Sequence, residues 1–365
     1  MKKRVIIFNP SLEGGGVEKN LYIISNYLKS NGILVEILTC NNNKSNKFKK
    51  GTKFIGTRSS FWQNKSRFIK YLICSIILFF NLLIKKNKPL VFSFQANIYA
   101  LVVAKILNTK IITRSNSAPI GWSGNVLKNT IYKFLINLSN ENIVNSLEFR
   151  KYFQKSFNVN STCIYNPFDK DLIKSNLKKK KKIKFFKKNC LNLICVGRLT
   201  DQKDHLTLLK SIKLLKSNFN VRLIILGRGK NKPLLQNFII KNKLQDRIKL
   251  LGYTNNPYHY INKSDIVILT STYEGLPNIL LEAQYLKKYI ISTKCLTGPS
   301  EILLNGKAGD LIRIGDYKKL SFLIKNYNNN KKIINKKINE GVKRFNRFDY
   351  RLNCQKYLDL VNKYL

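Results

Sequence analysis

Short apolar runs alternate along this chain with longer stretches in which apolar residues recur every three or four positions. Val5 to Phe8, Leu34 to Thr39, Leu90 to Phe94 and Ile111 to Thr113 read as buried strands separated by helices. The pattern then lapses and restarts at Leu193 to Val196, Val221 to Leu226, Ile248 to Leu251 and Ile266 to Thr270. Strand–helix alternation predicts parallel sheets, and two series of it predict an α/β protein with two domains. At 365 residues the chain is long enough to give each domain its own core. The break falls between Asn166 and Leu191, where the lysine run Lys178 to Lys182 reads as an exposed connector. A final stretch, Phe348 to Leu365, is helical in pattern, and no internal repeat of solenoid length stands out.

Charge changes this picture. Lys and Arg number 67 against 19 Asp and Glu, a net charge of +48. The excess runs along the whole chain, without zinc-finger spacing, the aromatic-basic motif of an RNA-recognition sheet or a basic tail, so no specific nucleic-acid partner is expected. Two readings stay open: a basic surface produced by compositional bias, or attraction to an anionic membrane. Tyr71 to Ile84 is apolar apart from Ser75 and Asn81, with Lys65, Arg67 and Lys70 before it and Lys85, Lys86 and Lys88 after it. It is too short to span a bilayer, which takes about 20 apolar residues. It fits either a buried crossover helix or a helix lying at the membrane interface.

The basic start Met1-Lys2-Lys3-Arg4 is followed only by Val5 to Phe8 before Asn9-Pro10, which is no secretion signal. The expected location is cytoplasmic, peripheral on the inner face of the cytoplasmic membrane. Seven scattered cysteines without Cys-x-x-Cys spacing argue against a disulfide framework or a zinc site and suit small core residues.

Candidate chemistry concentrates after the strand Ile266 to Thr270, in Ser271-Thr272-Tyr273-Glu274-Gly275-Leu276-Pro277-Asn278-Ile279-Leu280-Leu281-Glu282. Two acids flank a Gly-x-Pro turn that opens a helix, with Pro277 expected in its first turn, where a missing N–H costs nothing. A helix N-terminus favours a diphosphate oxygen. Asn278 and Glu282 lie one turn apart on one face of that helix, and Glu274 stands before the turn. Glu282 also fits an ordinary solvated helix position.

This segment resembles the Glu-x7-Glu signature of the retaining glycosyltransferases of family 4. Supporting similarities are Val196-Gly197-Arg198-Leu199 with Gln202-Lys203-Asp204, Leu226-Gly227-Arg228-Gly229, Leu250-Leu251-Gly252-Tyr253 and Thr297-Gly298-Pro299-Ser300-Glu301-Ile302. Gly14-Gly15-Gly16-Val17-Glu18 is similar to the family's glycine loop, and Ile164-Tyr165-Asn166-Pro167 to its interdomain turn. The resemblance implies the GT-B fold: two facing Rossmann-like domains, a central cleft and a C-terminal helix crossing back to the first domain. Residues 1–165 with 348–365 would then bind the acceptor, and 166–347 the nucleotide sugar.

The resemblance further implies a retaining transfer of a hexose or N-acetylhexosamine, with UDP the favoured nucleotide. The acceptor would be a lipid-linked glycan in surface polysaccharide assembly. Glu274, Arg198 and Lys203 would be catalytic; Gly197, Gly227, Gly275, Leu276, Pro277, Asn278, Ile279 and Glu282 would hold the donor. Gly14, Gly15, Gly16, Glu18, Arg114 and Asn116 would serve the acceptor or diphosphate side. The glycines fit a tight turn equally well, and Glu18 a residue that complements the helix dipole.

No cofactor or metal is expected, because Arg198 and Lys203 can neutralise a diphosphate. The rival metal motif, Asp169-Lys170-Asp171, follows the Asn166-Pro167 turn instead of a strand end. The two histidines, His205 and His259, are expected at a helix start and on a surface helix, so no imidazole base serves the first domain. The departing phosphate oxygen itself would take the acceptor proton. A non-catalytic GT-B scaffold or polyanion binder, and a sugar phosphorylase of the same fold, are the alternatives.

Overall fold

A computed structural model describes residues 3–12, 14–41, 47–57, 60–117, 126–178, 183–216 and 219–365. Lys179 to Lys182 of the lysine run lie outside them. The chain forms two compact units, Met1–Pro167 with Phe348–Leu365, and Phe168–Arg347. The first unit thus runs through Asn166 and Pro167, and the buried Asn166 side chain is engaged within it.

In the first unit the strands are β1 (Arg4–Phe8), β2 (Leu34–Leu38), β3 (Lys53–Ile55), β4 (Leu90–Ser93), β5 (Ile111–Ser115), β6 (Glu141–Val144) and β7 (Thr162–Cys163). They form one sheet in the order β3-β2-β1-β4-β5-β6-β7, with parallel pairings. Its helices are α1 (Gly16–Ser30), α2 (Arg67–Leu83), α3 (Asn97–Ile106), α4 (Val126–Asn137) and α5 (Leu147–Phe157). In the second unit come β8 (Leu191–Val196), β9 (Val221–Leu226), β10 (Ile248–Gly252), β11 (Ile266–Leu269), β12 (Tyr289–Thr293) and β13 (Asp310–Ile312). Their order is β10-β9-β8-β11-β12-β13, again parallel. The helices there are α6 (Lys170–Lys178), α7 (His205–Lys213), α8 (Lys232–Lys241), α9 (Tyr258–Lys263), α10 (Asn278–Tyr285), α11 (Pro299–Ile302), α12 (Tyr317–Lys325) and α13 (Lys331–Lys343). The last helix, α14 (Tyr350–Tyr364), belongs to the first unit.

Both faces of each sheet are covered, which is why the strands read as continuous apolar runs without alternation. In β1, Val5 and Ile7 pack with Leu21, Ile24 and Leu28 of α1 and with Tyr357, Leu358 and Val361 of α14. Ile6 and Phe8 point the other way, to Cys74, Leu78 and Leu82 of α2 and Ala100, Leu101 and Ala104 of α3. The C-terminal helix therefore completes the first core. Cys40, Cys74, Cys195, Cys295 and Cys354 are buried, and none of the seven cysteines forms a disulfide.

A carboxylate is buried in this interior. Glu36, in the middle of β2, is fully buried, with Lys53 Nζ at 2.9 Å and Lys85 Nζ at 3.0 Å. Lys53 is its register partner on β3. Burial raises the carboxyl's pKa, and the hydrogen bonds from Lys53 and Lys85 outweigh that and hold it below the ordinary glutamate value.

Candidate functional site

Each sheet has a switch point, where the strand order reverses and the loops after two adjacent strands diverge; ligands of open parallel sheets bind there. In the second unit it lies between β8 and β11, which pair directly through Ile266 with Leu193 and Val267 with Ile194. The loops leaving these two strands contain the sequence-predicted catalytic residues.

Backbone and short polar side chains join the two loops. Thr272 N donates to Gln202 O at 2.8 Å, and Gln202 Nε2 donates to Tyr273 O at 2.9 Å. Thr270 Oγ1 donates to Lys203 O at 2.9 Å. With the loops so fixed, Lys203 Nζ forms an ion pair with Glu274 Oε1. The two side chains are only 14% and 9% exposed, so solvent screens the pair little. Arg198 leaves the same β8 loop but is exposed, its Nη2 donating to Gln202 Oε1 at 3.3 Å.

Close backbone approach sets where glycine is required. A Cβ on Gly227 would meet Gly197 O at 1.8 Å, so the ends of β8 and β9 approach this closely only because position 227 carries no side chain. Gly298, at φ +90°, would place a Cβ 1.8 Å from Gly275 O. Beside it, Thr297 Oγ1 donates to Glu274 O at 2.6 Å. Thr297, Gly298 and Gln202 thus hold the Glu274 loop in place. Their sequence signal was the Thr-Gly-Pro turn and the Gln-Lys-Asp string, but neither spacing assigns a partner.

Pro277 is the N-cap of α10, at ψ 113°, one position before the first helical turn predicted for it. The residue before a helical stretch takes the extended conformation that proline tolerates. As a proline, the N-cap residue makes no side-chain hydrogen bond to the first turn. Gly275, Leu276, Pro277 and Ile279 are buried and Asn278 is half-buried. Glu282 is buried too, which removes its reading as a solvated helix residue.

Two titratable groups lie under the pair. Burial pushes the Cys195 thiol up to about 12, with Lys203 opposing, so it is an inert core group. His205, the first residue of α7, is buried and has no hydrogen-bond partner at either ring nitrogen among the described residues. Burial, then the Lys203 charge, pushes it down to about 4.

The folded state therefore binds fewer protons than the unfolded chain between pH 6.5 and 4, and stability falls as pH drops through that window. Full traversal is worth on the order of 3 kcal/mol. Comparing chemical denaturation at pH 7.5 and 4.5, His205→Leu should lose distinctly less stability than the wild type. Equal losses would show that His205 titrates normally. His259, expected on a surface helix, is instead buried within α9, which packs against α10 and α6.

In the first unit the switch point lies between β1 and β4, and the loop after β1 leads to Gly14, Gly15 and Gly16. Gly14 has φ +80° and needs glycine, whereas Gly15, at φ 175°, is extended backbone. Glu18 is buried in the first turn of α1, and its Oε2 would lie 3.1 Å from a Cβ on Gly15.

The expectation for Arg114 and Asn116 is corrected. Arg114 is fully buried, its Nε donating to Tyr357 OH at 2.9 Å, its Nη2 to Asn166 Oδ1 at 2.6 Å, and its Nη1 to Asn116 Oδ1. Asn116 Nδ2 donates in turn to Phe94 O at 2.7 Å. A guanidinium buried without a carboxylate needs every neutral acceptor in reach, so it ties α14 and the end of the unit to β5. It does not present a donor to a ligand. Asp169 of the Asp-x-Asp string caps α6, its Oδ1 accepting from Asp171 N at 3.0 Å and Leu172 N at 2.9 Å.

Residues 176–344 match the family described as glycosyl transferases group 1. The match covers a little under half of the chain, all of it within the second unit. Lys203, Glu274 and Glu282 all fall inside it, and the fold of the chain is GT-B.

An uncharacterized glycosyltransferase of Methanocaldococcus jannaschii is 34% identical over 206 residues, covering 54% of this chain and 51% of the relative. A Campylobacter jejuni enzyme is 31% identical over 122 residues, 33% of each chain. It is named N-acetylgalactosamine-N,N'-diacetylbacillosaminyl-diphospho-undecaprenol 4-alpha-N-acetylgalactosaminyltransferase. The chain thus spans a third to about half the length of these curated relatives. The crystal structure of Anabaena HepE with UDP and glucose superposes at a TM-score of 0.80 and 16% identity, covering 99% of this chain and 100% of the other. That likeness concerns the fold.

Proposed function

We propose that this protein is a retaining, metal-independent glycosyltransferase of the family 4 kind. It moves a hexose or N-acetylhexosamine from a UDP-sugar to a lipid-linked glycan in surface polysaccharide assembly. The observation that carries the reading is the Lys203–Glu274 pair, secluded from solvent at the switch point of a region matching the group 1 family, on the loop that leads into α10. UDP is favoured by the nucleotide bound to the like-folded HepE, and the lipid-linked acceptor by the name of the Campylobacter relative.

In the transfer, Lys203 and Arg198 meet the diphosphate, the amides at the start of α10 add the positive end of a helix dipole, and Glu282 orients the ribose. As the glycosidic bond breaks, negative charge grows on the departing phosphate and positive charge on the sugar ring. Lys203 and Arg198 stabilise the first and Glu274 the second. The departing oxygen accepts the acceptor hydroxyl's proton, so no imidazole is needed, in keeping with a His205 held neutral and buried. Two cationic side chains supply the charge that a divalent ion would otherwise bring.

Thermal unfolding with UDP, GDP and ADP, each with EDTA, tests this reading. A ligand at 100 times its Kd adds about 2.7 kcal/mol of stability. UDP should raise the midpoint and Glu282→Ala should abolish the rise. No shift with any nucleotide would overturn the reading, and a shift that requires added manganese or magnesium would overturn its metal independence.

A further inference from the structure

The helix α2 has two apolar faces, and the core uses one of them. Cys74, Leu78 and Leu82 are buried against the sheet. Phe68, Leu72, Ile76, Phe80 and Leu83 are exposed, Phe68 by 73%. At 3.6 residues per turn these positions share the side opposite the buried one. The C-cap Ile84, 80% exposed, extends the stripe. The layer continues sideways, since α3 packs against both α2 and α4. Ile106 of α3 and Leu127, Ile131 and Phe134 of α4 are exposed as well. Apolar exposure concentrated on three helices packed in series marks an interaction surface.

Charge identifies the partner. Between Glu36 and Glu141 the sequence contains no acidic residue. Arg67, Lys86 and Lys88 stand exposed at the ends of α2, and Lys105, Lys128 and Lys133 beside the exposed apolar residues of α3 and α4. A second copy of the chain would bring the same uncompensated positive charge against this face. A nucleic acid would match the charge but not the Phe, Leu and Ile stripe. An anionic bilayer offers phosphates to the cations and acyl chains to the stripe. No helix among the described residues is long and apolar enough to cross a membrane, so the face would lie in the interface.

We infer that the outer face of α2, α3 and α4 seats the protein on an anionic lipid surface, with α2 as the inserting element. This inference stands on the surface itself and does not depend on the donor or the reaction.

The test is co-sedimentation of the full chain with vesicles of phosphatidylcholine alone or with about 30% phosphatidylglycerol. Wild type should bind the anionic vesicles, less so as salt rises, and the neutral ones weakly. The variant Phe68→Ser/Leu72→Ser/Ile76→Ser/Phe80→Ser should lose about tenfold or more of that binding. Its unfolding midpoint and its response to UDP should not change, which separates lost docking from misfolding and from failure of the donor site. Should it fail to fold, Lys86→Glu/Lys88→Glu reads the same face and should lose binding to the anionic vesicles selectively. Undiminished binding by both variants would overturn the inference. So would a wild-type dimer, seen by analytical ultracentrifugation, that the apolar variant dissolves and that ignores vesicles.

Discussion

Glu274→Gln is expected to lower turnover by about 100- to 1000-fold, the usual cost of removing one preorganised charge from a developing transition state. Glutamine keeps the shape of the side chain, so the loss isolates its charge. The same substitution strips Lys203 of its partner in a pocket where the lysine side chain is 14% exposed. Leaving a largely buried cation unpaired should cost on the order of 2–3 kcal/mol of stability. The two effects separate in the double variant Lys203→Met/Glu274→Gln, which removes both charges. Its stability should recover most of the loss, because no charge is left stranded, while turnover stays at or below that of Glu274→Gln. Turnover is measured as nucleotide release from the donor named by the thermal shifts. A folded Glu274→Gln protein within a few-fold of wild type would sink the catalytic assignment.

That pair also shows what a sequence reveals and what it withholds. The placement of Lys203 and Glu274 on loops after strands, and of Glu282 one turn into the helix that follows, is legible because it depends only on spacing along the chain. Lys203 and Glu274 stand on different loops, so their contact exists only once β8 and β11 lie side by side. Most central strands were legible for a related reason: two-sided burial demands unbroken apolar runs, as in β1, β9 and β11, though the buried β12 was passed over.

The shorter or more polar strands were not. β3 (Lys53–Ile55) and β7 (Thr162–Cys163) sit at sheet edges and carry little apolar signal. β6 opens on Glu141, and β13 is only Asp310 to Ile312. Glu36 was invisible as a structural group because its cations come from β3 and from beyond α2. Arg114 misled for the opposite reason. An arginine at a strand end suggests an anion, yet its partners are neutral oxygens on Asn116, Asn166 and Tyr357, the last 243 residues away. The exposed face of α2 lay between the two readings of Tyr71 to Ile84, since one side of the helix is core and the other is outward.

Gly298→Ala should be the most damaging change to the site that touches no charged group. At φ +90° any L side chain is strained, at about 1–2 kcal/mol. A Cβ there would also lie 1.8 Å from Gly275 O and 3.1 Å from Pro277 Cδ, so the Glu274–Pro277 loop must move, adding about 1–3 kcal/mol. Gly315, in the same unit at φ +77°, has nothing within 4 Å of its Cβ position, so Gly315→Ala carries the strain without the collision. The difference between the two variants is then the cost of the contact alone. Urea unfolding should place Gly298→Ala well below Gly315→Ala, and only the former should lose its UDP-induced stabilisation, because its displaced loop carries Glu274 and the start of α10. Equal costs with UDP response intact would mean that the loop yields freely, and that its position does not depend on glycine at 298.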